Sequence, residues 1–408
     1  MARHFPDILK AYLEHTDGHE STERIRKWSY ISVLAACLER RVYLNRGYYT
    51  LFPNLYVFLI GRSGLIKKTT SSGIAVNLLR EVEGVRIMSE RLTAVALIDQ
   101  LCNAGKKYEL NGRIIKQSAL FAYASELAVF LVEVFGSITE LLTTFYDCTP
   151  NDSSKPWVNH SMKQGERKIY GPCLNILGAS TKAWLKKCIP RSEMEGGFTS
   201  RIIFVVENNL PKKLIAWPEI AKNNADVHGK LVEDMQHIFK LAGEVAVTQE
   251  ARKLFTRWYE HHMRVILPKN NDPRMVGYMS RKGDTILKLA IIRSASLRDD
   301  LVIQKEDIIW AQEELDALEL DWQMAFDGIG TVSNLSYLVL ELINKRIAIR
   351  KNELLAHFAQ LYPVAEILKA VHDLKEMGEM VDFTKMHEGK QIEFYAIHGH
   401  EELINFTD

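Results

Sequence analysis

The residues with the clearest chemistry lie in one stretch, LYVFLIGRSGLIKKTTSSG, at positions 55–73. Glycines let backbone N–H groups surround phosphate oxygens, a lysine reaches the outer phosphates, and a hydroxyl at a helix start holds Mg²⁺. Because this stretch supplies all three kinds of group, we expect it to bind the phosphates of a nucleotide. The residues predicted to contact that nucleotide are Gly61, Arg62, Ser63, Gly64, Leu65, Ile66, Lys67, Lys68, Thr69 and Thr70.

Two registers of this loop agree in part with the spacing G-x-x-x-x-G-K-[ST]. In the first, counted from Gly61, Lys67 is the phosphate lysine and Lys68 stands where the hydroxyl is needed. In the second, Lys68 pairs with Thr69 or Thr70, and the loop is one residue longer and lacks its last glycine. We favour the second register, since losing the Mg²⁺ hydroxyl would harm the chemistry more than lengthening the loop. The simpler alternative is a Gly/Ser turn with solvated lysines.

A carboxylate at the end of a neighbouring strand is the next group that nucleotide hydrolysis requires. The apolar run ALFAYASE, residues 119–126, ends in Glu126, which we predict to be the catalytic base and, with Thr69, a ligand of Mg²⁺. Ser125 occupies the position where an aspartate is usual, and it contributes at most a contact to the metal through water. The alternative role of Glu126 is to cap the following helix, because acidic residues stabilise helix N-termini.

Polar residues further along the chain are candidates for contact with the terminal phosphate. The strand CLNILGAS ends at Ser180, beside Thr181, and the carboxyl ends of strands in an α/β sheet face the ligand. Arg201 precedes the strand IIFVVE, from where an arginine can enter the site of a neighbouring subunit, and Arg281 begins a later helix. The alternatives are a helix N-cap at Ser180 and a surface arginine at Arg201. The predicted catalytic residues are Lys68, Glu126, Arg201 and Arg281.

The elements that must position these residues follow from the changing hydrophobic period. Residues 5–44 have helical spacing, and beyond residue 53 short apolar runs alternate with helical stretches, which predicts a three-layer α/β domain around a mostly parallel sheet. Residues 225–326 are polar and helical, and the tail shows three helices followed by a two-stranded hairpin, the order of a winged helix. The predicted domains are an N-terminal helical region at 1–53, an α/β core at 54–210, a helical subdomain at 211–330 and a winged helix at 331–408.

The composition excludes several classes of protein. Of 408 residues, 52 are Lys or Arg and 51 are Asp or Glu, so the net charge of +1 excludes nucleic-acid binding driven by bulk charge and leaves focal contacts. The five cysteines lie far apart without a C-x-x-C pair, which favours a reducing compartment and predicts a cytoplasmic protein. The apolar segment 118–142 contains three glutamates, so we predict a buried strand and helix there and no association with a membrane.

The motifs GRSGLIKKTT, ASE, LNILGAST, GGFTSR and SRKGDTILKLA follow one another in an order that resembles the AAA+ ATPases of phages, plasmids and integrated elements. The chain is similar, over about residues 25–400, to the helicase half of primase-helicase replication proteins, which are distant relatives of superfamily 3 and MCM helicases. The resemblance implies an AAA+ core with a helical lid, and ATP and Mg²⁺ as ligands. It assigns Gly61, Gly64, Lys68 and Thr69 to the Walker A loop, Glu126 to Walker B, Ser180 or Thr181 to sensor 1, Arg201 to the arginine finger and Arg281 to sensor 2.

The same resemblance implies a β-hairpin that reaches into the pore of a ring, between the Walker B and sensor 1 strands. Residues 157–170, WVNHSMKQGERKIY, have the pattern of two strands around a polar turn. Lys163, Arg167 and Lys168 cluster near its tip and suit the backbone of single-stranded DNA, while Trp157 or His160 suits base stacking. The alternative is a solvated surface hairpin.

These expectations predict an ATP-dependent DNA helicase or translocase that assembles as a ring, a homo-hexamer, on single-stranded or forked DNA. No primase signature precedes the ATPase motifs, so a primase or a loader is expected to be a separate protein. One alternative is a replication initiator or loader that uses ATP as a switch without unwinding DNA. Another is a winged-helix DNA-binding scaffold whose phosphate loop has decayed.

Overall fold

The computed structural model describes residues 3–89, 93–127, 138–150, 152–161, 165–188, 197–211, 215, 224–270, 273–326, 334–346, 348–359, 362–376, 378–387 and 390–397. The chain forms two compact units, one of residues 1–185 with 193–325 and one of residues 186–192 with 326–408. Among the described residues, no helix combines the length and the apolar character needed to cross a bilayer.

The secondary structure alternates between helices and strands in the first half of the chain and is mainly helical in the next hundred residues. The helices are α1 (Ile8–His15), α2 (Glu23–Leu38), α3 (Lys68–Arg80), α4 (Ala94–Asn103), α5 (Thr139–Tyr146), α6 (Lys182–Cys188), α7 (Asn224–Lys240), α8 (Gln249–His261), α9 (Pro273–Leu297), α10 (Lys305–Phe326), α11 (Asn334–Arg346), α12 (Lys351–Phe358) and α13 (Val364–Glu376). The strands are β1 (Val42–Asn45), β2 (Thr50–Leu51), β3 (Tyr56–Gly61), β4 (Ile87–Ser89), β5 (Gly105–Leu110), β6 (Arg113–Ala124), β7 (Pro156–Ser161), β8 (Gly165–Tyr170), β9 (Pro172–Ser180), β10 (Ile202–Glu207), β11 (Gly243–Glu244), β12 (Ala246–Val247), β13 (Val302–Ile303), β14 (Ala348–Arg350), β15 (Met380–His387) and β16 (Lys390–Ile397).

A six-stranded sheet is the centre of the first unit. Its strands run in the order β10-β3-β9-β6-β4, all parallel, and β5 pairs with β6 in the antiparallel direction. Every residue of β3, β9 and β10 is buried, although successive side chains of a strand point to opposite faces. Both faces of these strands are therefore covered, as is typical of parallel sheets. The predicted α/β class with a mostly parallel sheet is confirmed.

Helix α2 packs against one face of this sheet. It contacts β3, β9 and β10, and it also contacts α3, the helix that follows the glycine-rich loop. All its residues from Trp28 to Leu38 are buried, because sheet, helices and loops surround it on all sides. A buried helix of this kind fixes α3, and with α3 the start of the loop, relative to the strands.

Two short antiparallel elements differ from the predicted pattern. The last residues of the segment predicted to be helical, 42–44, belong to β1, whose burial alternates and which pairs with β2 and β11. Strand β6 begins at Arg113 instead of residue 119, because its first six residues, 113–118, pair with β5 in a hairpin. The turn of that hairpin is Asn111-Gly112, and both residues have positive φ, as a type I′ turn requires.

The helical block predicted for residues 225–326 is confirmed in α7, α8, α9 and α10. Short strands β12 and β13 pair in parallel between these helices. Helix α10 contacts the sheet through Trp322, whose indole Nε1–H donates a hydrogen bond to the carbonyl oxygen of Phe204 at 2.5 Å. The block therefore belongs to the same compact unit as the sheet, and the boundaries predicted at 53 and 210 stay predictions.

The second unit has its own core. Helices α11, α12 and α13 pack against an antiparallel sheet of order β14-β16-β15. The buried side chains include Val339, Ile343, Leu354, Ile367 and Leu374. The predicted three helices and hairpin are confirmed as elements, and β14 is an additional third strand.

Leu127 gives a test of how the strands near the loop are packed. A Cβ added at Gly178 of β9 would lie 2.3 Å from the Leu127 Cδ2 atom. We expect Gly178→Ala to lower the free energy of unfolding by about 1–3 kcal/mol, the usual cost of overpacking a core. The control is Gly229→Ala in α7, where the new methyl group meets no atom within 4 Å, and which we expect to stabilise the helix by about 0.5–1 kcal/mol. Urea unfolding measures both, and an unchanged midpoint for Gly178→Ala would contradict this packing.

Candidate functional site

The glycine-rich loop joins the end of β3 to the start of α3. A Cβ at Gly61 would lie 2.1 Å from the Ile66 Cδ1 atom and 2.8 Å from the carbonyl oxygen of Glu207 on β10, so only glycine fits there. Ile66 is buried against the strand end, and the hydroxyl of Ser21 donates to the carbonyl oxygen of Ile66 at 3.4 Å. The loop therefore folds back over the end of its own strand.

Lys67 has the backbone conformation of a loop glycine. Its φ of 47° and ψ of 36° are left-handed, a conformation that costs a residue with a Cβ about 1–2 kcal/mol. The Lys67 ammonium lies 3.7 Å from a carboxylate oxygen of Glu20, and its side chain is 42% exposed. Lys67 thus occupies the place of the missing last glycine, and its charge is directed to Glu20.

Lys68 is the lysine that lies inside the loop. Its Nζ donates hydrogen bonds to the carbonyl oxygens of Gly61 at 2.8 Å and Arg62 at 3.1 Å. The residue is buried, and burial lowers the pKa of the Lys68 ammonium. Of the two registers left open by the spacing, this geometry favours the one in which Lys68 binds phosphate.

Thr69 faces the end of the neighbouring strand. Its hydroxyl donates to the carbonyl oxygen of Ser125 at 3.3 Å, next to the exposed side chain of Glu126. One turn further along α3, the hydroxyls of Ser72 and Tyr123 lie 3.0 Å apart and hold the helix against β6. The alternative role of Glu126, capping the following helix, concerns residues 128–137, which lie outside the described residues.

The third strand end at this edge carries Ser180. Strand β9 lies between β3 and β6, and Ser180 pairs with Ile60 directly before the loop. The following helix α6 is capped by Thr181, whose hydroxyl oxygen accepts a hydrogen bond from the backbone N–H of Trp184 at 3.2 Å. The cap alternative for Ser180 is therefore wrong, because Thr181 makes that hydrogen bond, and Ser180 faces the cavity.

These side chains surround one cavity of about 280 Å³. It is lined by Ser63, Gly64, Lys67, Lys68, Thr69, Thr70, Ser125, Glu126, Ala179, Ser180, Thr181 and Trp184. The lining combines a helix N-terminus, ammonium groups, hydroxyls and one carboxylate, which fits the phosphates of a nucleotide with Mg²⁺. Thr69 and Glu126 are the residues suited to hold the metal, since Mg²⁺ prefers few protein oxygens and otherwise binds phosphates and water.

A second cavity, of about 340 Å³, lies on the other side of β3, next to the segment between α1 and α2. Ser21 and Glu207 line it, and both also contact the loop through Ile66 and Gly61. Within the described part of the chain, some buried polar atoms of its lining residues make no hydrogen bond; these are His19 Nδ1, Thr22 Oγ1 and Arg26 Nε. The sequence motifs did not indicate this cavity, because its residues come from a segment with no recognisable spacing.

The two predicted catalytic arginines lie together but far from the loop. Arg201 is buried and donates from Nε and Nη2 to the carboxylate of Asp147, and Arg281 Nη1 lies 3.6 Å from the same carboxylate. Ile202, the next residue after Arg201, pairs with Tyr56 at the start of β3. Five residues of strand separate Tyr56 from the loop, about 17 Å. The structure therefore places both arginines at the opposite end of the sheet from Lys68.

The predicted DNA-binding hairpin exists, but its basic residues do not form one cluster. Strands β7 and β8 pair in the antiparallel direction, and Arg167 forms an ion pair with Asp99 of α4. Lys168, its neighbour, points to the opposite face of the strand and lies 2.9 Å from Glu166. Lys163 lies outside the described residues.

The two aromatic side chains of this hairpin that were predicted to stack on bases also differ in their surroundings. The ring of Trp157 packs edge-on against Phe145 of α5, with ring centroids 5.3 Å apart, and His160 is exposed. Trp157 is therefore engaged within the fold, so of the two candidates for base stacking His160 is the accessible one.

Comparison with known proteins does not add a family to this picture. No model of a protein family matches the chain. No curated protein is significantly similar to it. The conclusions about function therefore depend on the geometry of the site.

The register of the loop predicts different effects for its two lysines. We expect Lys68→Ala to weaken ATP binding by about tenfold to a hundredfold, because a charged hydrogen bond to phosphate contributes about 1.5–3 kcal/mol. Lys67→Gly should bind ATP as the wild type does, since glycine adopts the left-handed conformation without strain. Titration with a fluorescent ATP analogue measures both, and a greater loss in Lys67→Gly would restore the shorter register.

The lowered pKa of Lys68 predicts how nucleotide binding depends on pH. The charged form of Lys68 binds phosphate, and bound phosphate raises the pKa of this ammonium back toward its ordinary value. Affinity for ATP should therefore begin to fall at a pH below the range in which an ordinary lysine loses its proton, because Lys68 without bound phosphate is deprotonated first. Lys68→Arg is the control, since its guanidinium keeps its charge over this range. Equal pH profiles for both proteins would exclude Lys68 as the titrating group.

Proposed function

We propose that the chain is an ATP hydrolase of the AAA+ type that acts on DNA as a ring, a translocase or helicase in the replication of a phage or mobile element. One observation carries this proposal. Lys68 lies inside a loop between a buried parallel strand and a helix, while Thr69 of that helix faces Ser125 and Glu126 across the strand ends. This arrangement brings a phosphate-binding cation, a metal-binding hydroxyl and a carboxylate to one cavity.

The residues of the cavity account for the steps of hydrolysis. The N-terminus of α3 and the ammonium of Lys68 bind and orient the phosphates of ATP. Thr69 and Glu126 would hold Mg²⁺, which would neutralise charge on those phosphates. Glu126 accepts a proton from the attacking water while the water oxygen bonds to the γ-phosphorus. The bond between the γ-phosphorus and the oxygen that bridges it to the β-phosphate breaks, which leaves ADP and phosphate. Ser180 donates a hydrogen bond to the γ-phosphate.

The second cavity is suited to the nucleoside part of a nucleotide whose phosphates lie in the first cavity. Two of its lining residues, Ser21 and Glu207, contact the loop beside β10, whereas Glu126 follows β6 on the other side of β3. With the phosphates in the first cavity, the nucleoside would extend toward the second. The buried atoms His19 Nδ1, Thr22 Oγ1 and Arg26 Nε then gain partners on a nucleobase or ribose. Such partners are needed, because an unpaired buried polar atom is costly.

The arginine pair supports a ring. Since Arg201 and Arg281 lie at the far end of the sheet, they serve a nucleotide site only by approaching that of a neighbouring copy. A contact that joins one end of each subunit to the opposite end of the next is heterologous, and such contacts form a ring when the rotation between subunits closes and an open filament when it does not. We propose a homo-hexamer in which Arg281, the more exposed of the two, stabilises charge on the neighbour's γ-phosphate, whereas Arg201 would do so only after leaving Asp147.

DNA binding is proposed for the hairpin and the second unit. His160 on β7 and Lys168 on β8 are exposed. Along the chain, these two strands lie between β6, which precedes Glu126, and β9, which ends at Ser180. The second unit has the element order expected of a winged helix, three helices and an antiparallel sheet. A primase or a loader would then be a separate partner, and the protein would act in the cytoplasm.

One observation favours a second candidate function. Ser125 stands at the strand end beside Thr69, where a second carboxylate would strengthen the metal site. A weaker metal site suits slow hydrolysis, as in an initiator or loader that ATP switches between assembled and free forms. The ordered geometry of Lys68 in its loop speaks against a scaffold whose loop has decayed.

Steady-state ATP hydrolysis with and without single-stranded DNA, together with light scattering, tests the proposal. We expect hydrolysis that rises with DNA, in a species several times the mass of one chain. Glu126→Gln should still bind ATP, because Lys68 and the N-terminus of α3 remain, and it should lower hydrolysis by about 10²–10⁴-fold, the contribution of a general base. Bound ATP without hydrolysis in the wild type would favour the switch, and a single-chain mass under hydrolysing conditions would exclude the ring.

A further inference from the structure

Helix α8 and the turns that follow it concentrate positive charge on one part of the surface. Residues 249–269 contain five Lys or Arg and two Asp or Glu, a net charge of +3, whereas the whole chain has a net charge of +1. The five cations, all of them exposed, are Arg252, Lys253, Arg257, Arg264 and Lys269, and we call them the basic face. The remaining residues of the chain therefore carry a net charge of −2.

The cations of the basic face are not neutralised by neighbouring carboxylates. In the part of the chain that the structure describes, none of their side chains forms an ion pair or a hydrogen bond, and this holds toward Glu250 and Glu260 of α8 as well. Lysines on other helices are paired, for example Lys230 with Asp226 on α7 at 2.6 Å. Since like charges one turn apart destabilise a helix, the unpaired cations indicate a ligand that supplies the opposite charge.

Helix α8 presents its cations on the side that faces away from the core. Lys253 and Arg257 are four residues apart and therefore share one face of the helix. Ala251 and Phe255, on the opposite face, are buried in the fold. The helix has 13 residues and is about 20 Å long. The outward side thus carries a row of cations on a support that the core holds in place.

A π-helical turn extends this row beyond α8. It spans His262–Ile266 and carries Arg264. Such turns are rare and are frequent at functional sites. The buried ring of His262 anchors the turn, because it stacks on Trp258 with centroids 4.8 Å apart and its Nε2–H donates to the carbonyl oxygen of Met279 at 2.8 Å. The backbone that carries Arg264 is therefore fixed to α9 as well as to α8.

We propose that the basic face binds the sugar-phosphate backbone of duplex DNA without reading its sequence. Duplex DNA carries one negative charge for about every 1.7 Å of its axis, so a helix about 20 Å long can contact several phosphates. Contacts to phosphates position a protein on DNA but carry no sequence information. The inference goes beyond the proposed function, whose DNA contacts lie on the β7–β8 hairpin and the second unit.

Duplex DNA suits the basic face better than single-stranded DNA. Single strands are held by accessible aromatic rings on which the bases stack. The aromatic rings of α8 beside the cations are engaged within the fold. Trp258 stacks on His262. Tyr259 stacks on Phe255 with centroids 6.0 Å apart and packs against Gly283 of α9. The face therefore offers cations to a backbone, while its rings already have partners.

A membrane or an acidic protein fits this surface less well. An amphipathic helix binds a bilayer through its apolar face, and the apolar face of α8 is already buried in the fold. Protein interfaces have an apolar centre and few lysines. Beside the cations, the large apolar side chains of Tyr259 and Ile266 are only 40% and 42% exposed, and two of the five cations are lysines.

Removing two cations of one helical turn tests this inference in the full chain. Lys253→Ala/Arg257→Ala should bind a duplex of about 30 base pairs about 10- to 100-fold more weakly at about 0.1 M salt, because each phosphate contact contributes about tenfold there. The slope of log affinity against log salt should decrease in magnitude by about 2, since each contact adds about 0.9. Lys253→Arg/Arg257→Lys keeps both charges and should match the wild type. Fluorescence anisotropy of labelled DNA measures these affinities.

A matched control removes two positive charges elsewhere in the first unit. Lys10→Ala/Lys230→Ala lacks one exposed lysine of α1 and one of α7, each paired with a carboxylate one turn away. It has the same net charge as Lys253→Ala/Arg257→Ala and should bind the duplex as the wild type does. Alanine favours helices, so both variants should keep the wild-type Tm. If the alanine variant of α8 is less stable, Lys253→Gln/Arg257→Gln removes the same charge with longer side chains.

Two further ligands distinguish the sources of negative charge. The same variants are measured with a single strand of equal length and with vesicles of phosphatidylserine and phosphatidylcholine. An unchanged duplex affinity in Lys253→Ala/Arg257→Ala, or an equal loss in the control, would overturn the inference. A loss confined to the single strand or to the vesicles would overturn it as well.

ATP hydrolysis separates this inference from the proposed function. The described lining of the loop cavity includes no residue of α8, so Lys253→Ala/Arg257→Ala should hydrolyse ATP without DNA at the wild-type kcat. If the wild type hydrolyses ATP and the variant binds the duplex equally well, the inference alone is overturned. A wild type that binds the duplex through the basic face but does not bind ATP would support the inference and overturn the proposed hydrolase. A wild type that binds no DNA would overturn the inference and the DNA contacts of the proposed function together.

Discussion

The loop that carries Lys68 depends on Gly61 having no side chain. Ile66 occupies the space that a Cβ at Gly61 would need, 2.1 Å away, and is buried there. With Ile66 in the core, the chain reverses direction at Lys67, in a left-handed conformation, before α3 begins. That reversal places Lys68 beneath the loop and Thr69 opposite Ser125. One close contact therefore bears on the register of both loop residues proposed to bind phosphate and metal, Lys68 and Thr69.

The parallel sheet separates two sets of functional groups. Its five parallel strands share one direction, so their carboxyl ends, with Lys68, Glu126 and Ser180, lie at one end of the sheet, and Arg201 at the start of β10 lies at the other. Loop and arginines cannot meet within one chain, because the strands between them hold both apart. This constraint is why a role for Arg201 or Arg281 at a nucleotide site would require a second copy, and Asp147 holds both arginines within their own chain.

Local patterns in the sequence predicted the parts of the fold that local forces determine. The apolar runs at β3, β9 and β10 and the helices of the second unit follow from hydrophobic periodicity. The β5–β6 hairpin was not predicted, although its Asn111-Gly112 turn is a local signal for one. Contacts between distant residues left no such signal. Asp147 beside Arg201, Asp99 beside Arg167 and the cavity around Arg26 arise only when the strands and helices assemble.

The charge of Lys68 is coupled to the path of the loop backbone. Its ammonium donates to the carbonyl oxygens of Gly61 and Arg62, which lie on the same loop. These hydrogen bonds close a ring within one short stretch of chain, so the ammonium and both of its acceptors move together. A substitution that alters the backbone path at Gly61 or Ile66 would therefore displace this charge even though Lys68 itself is unchanged.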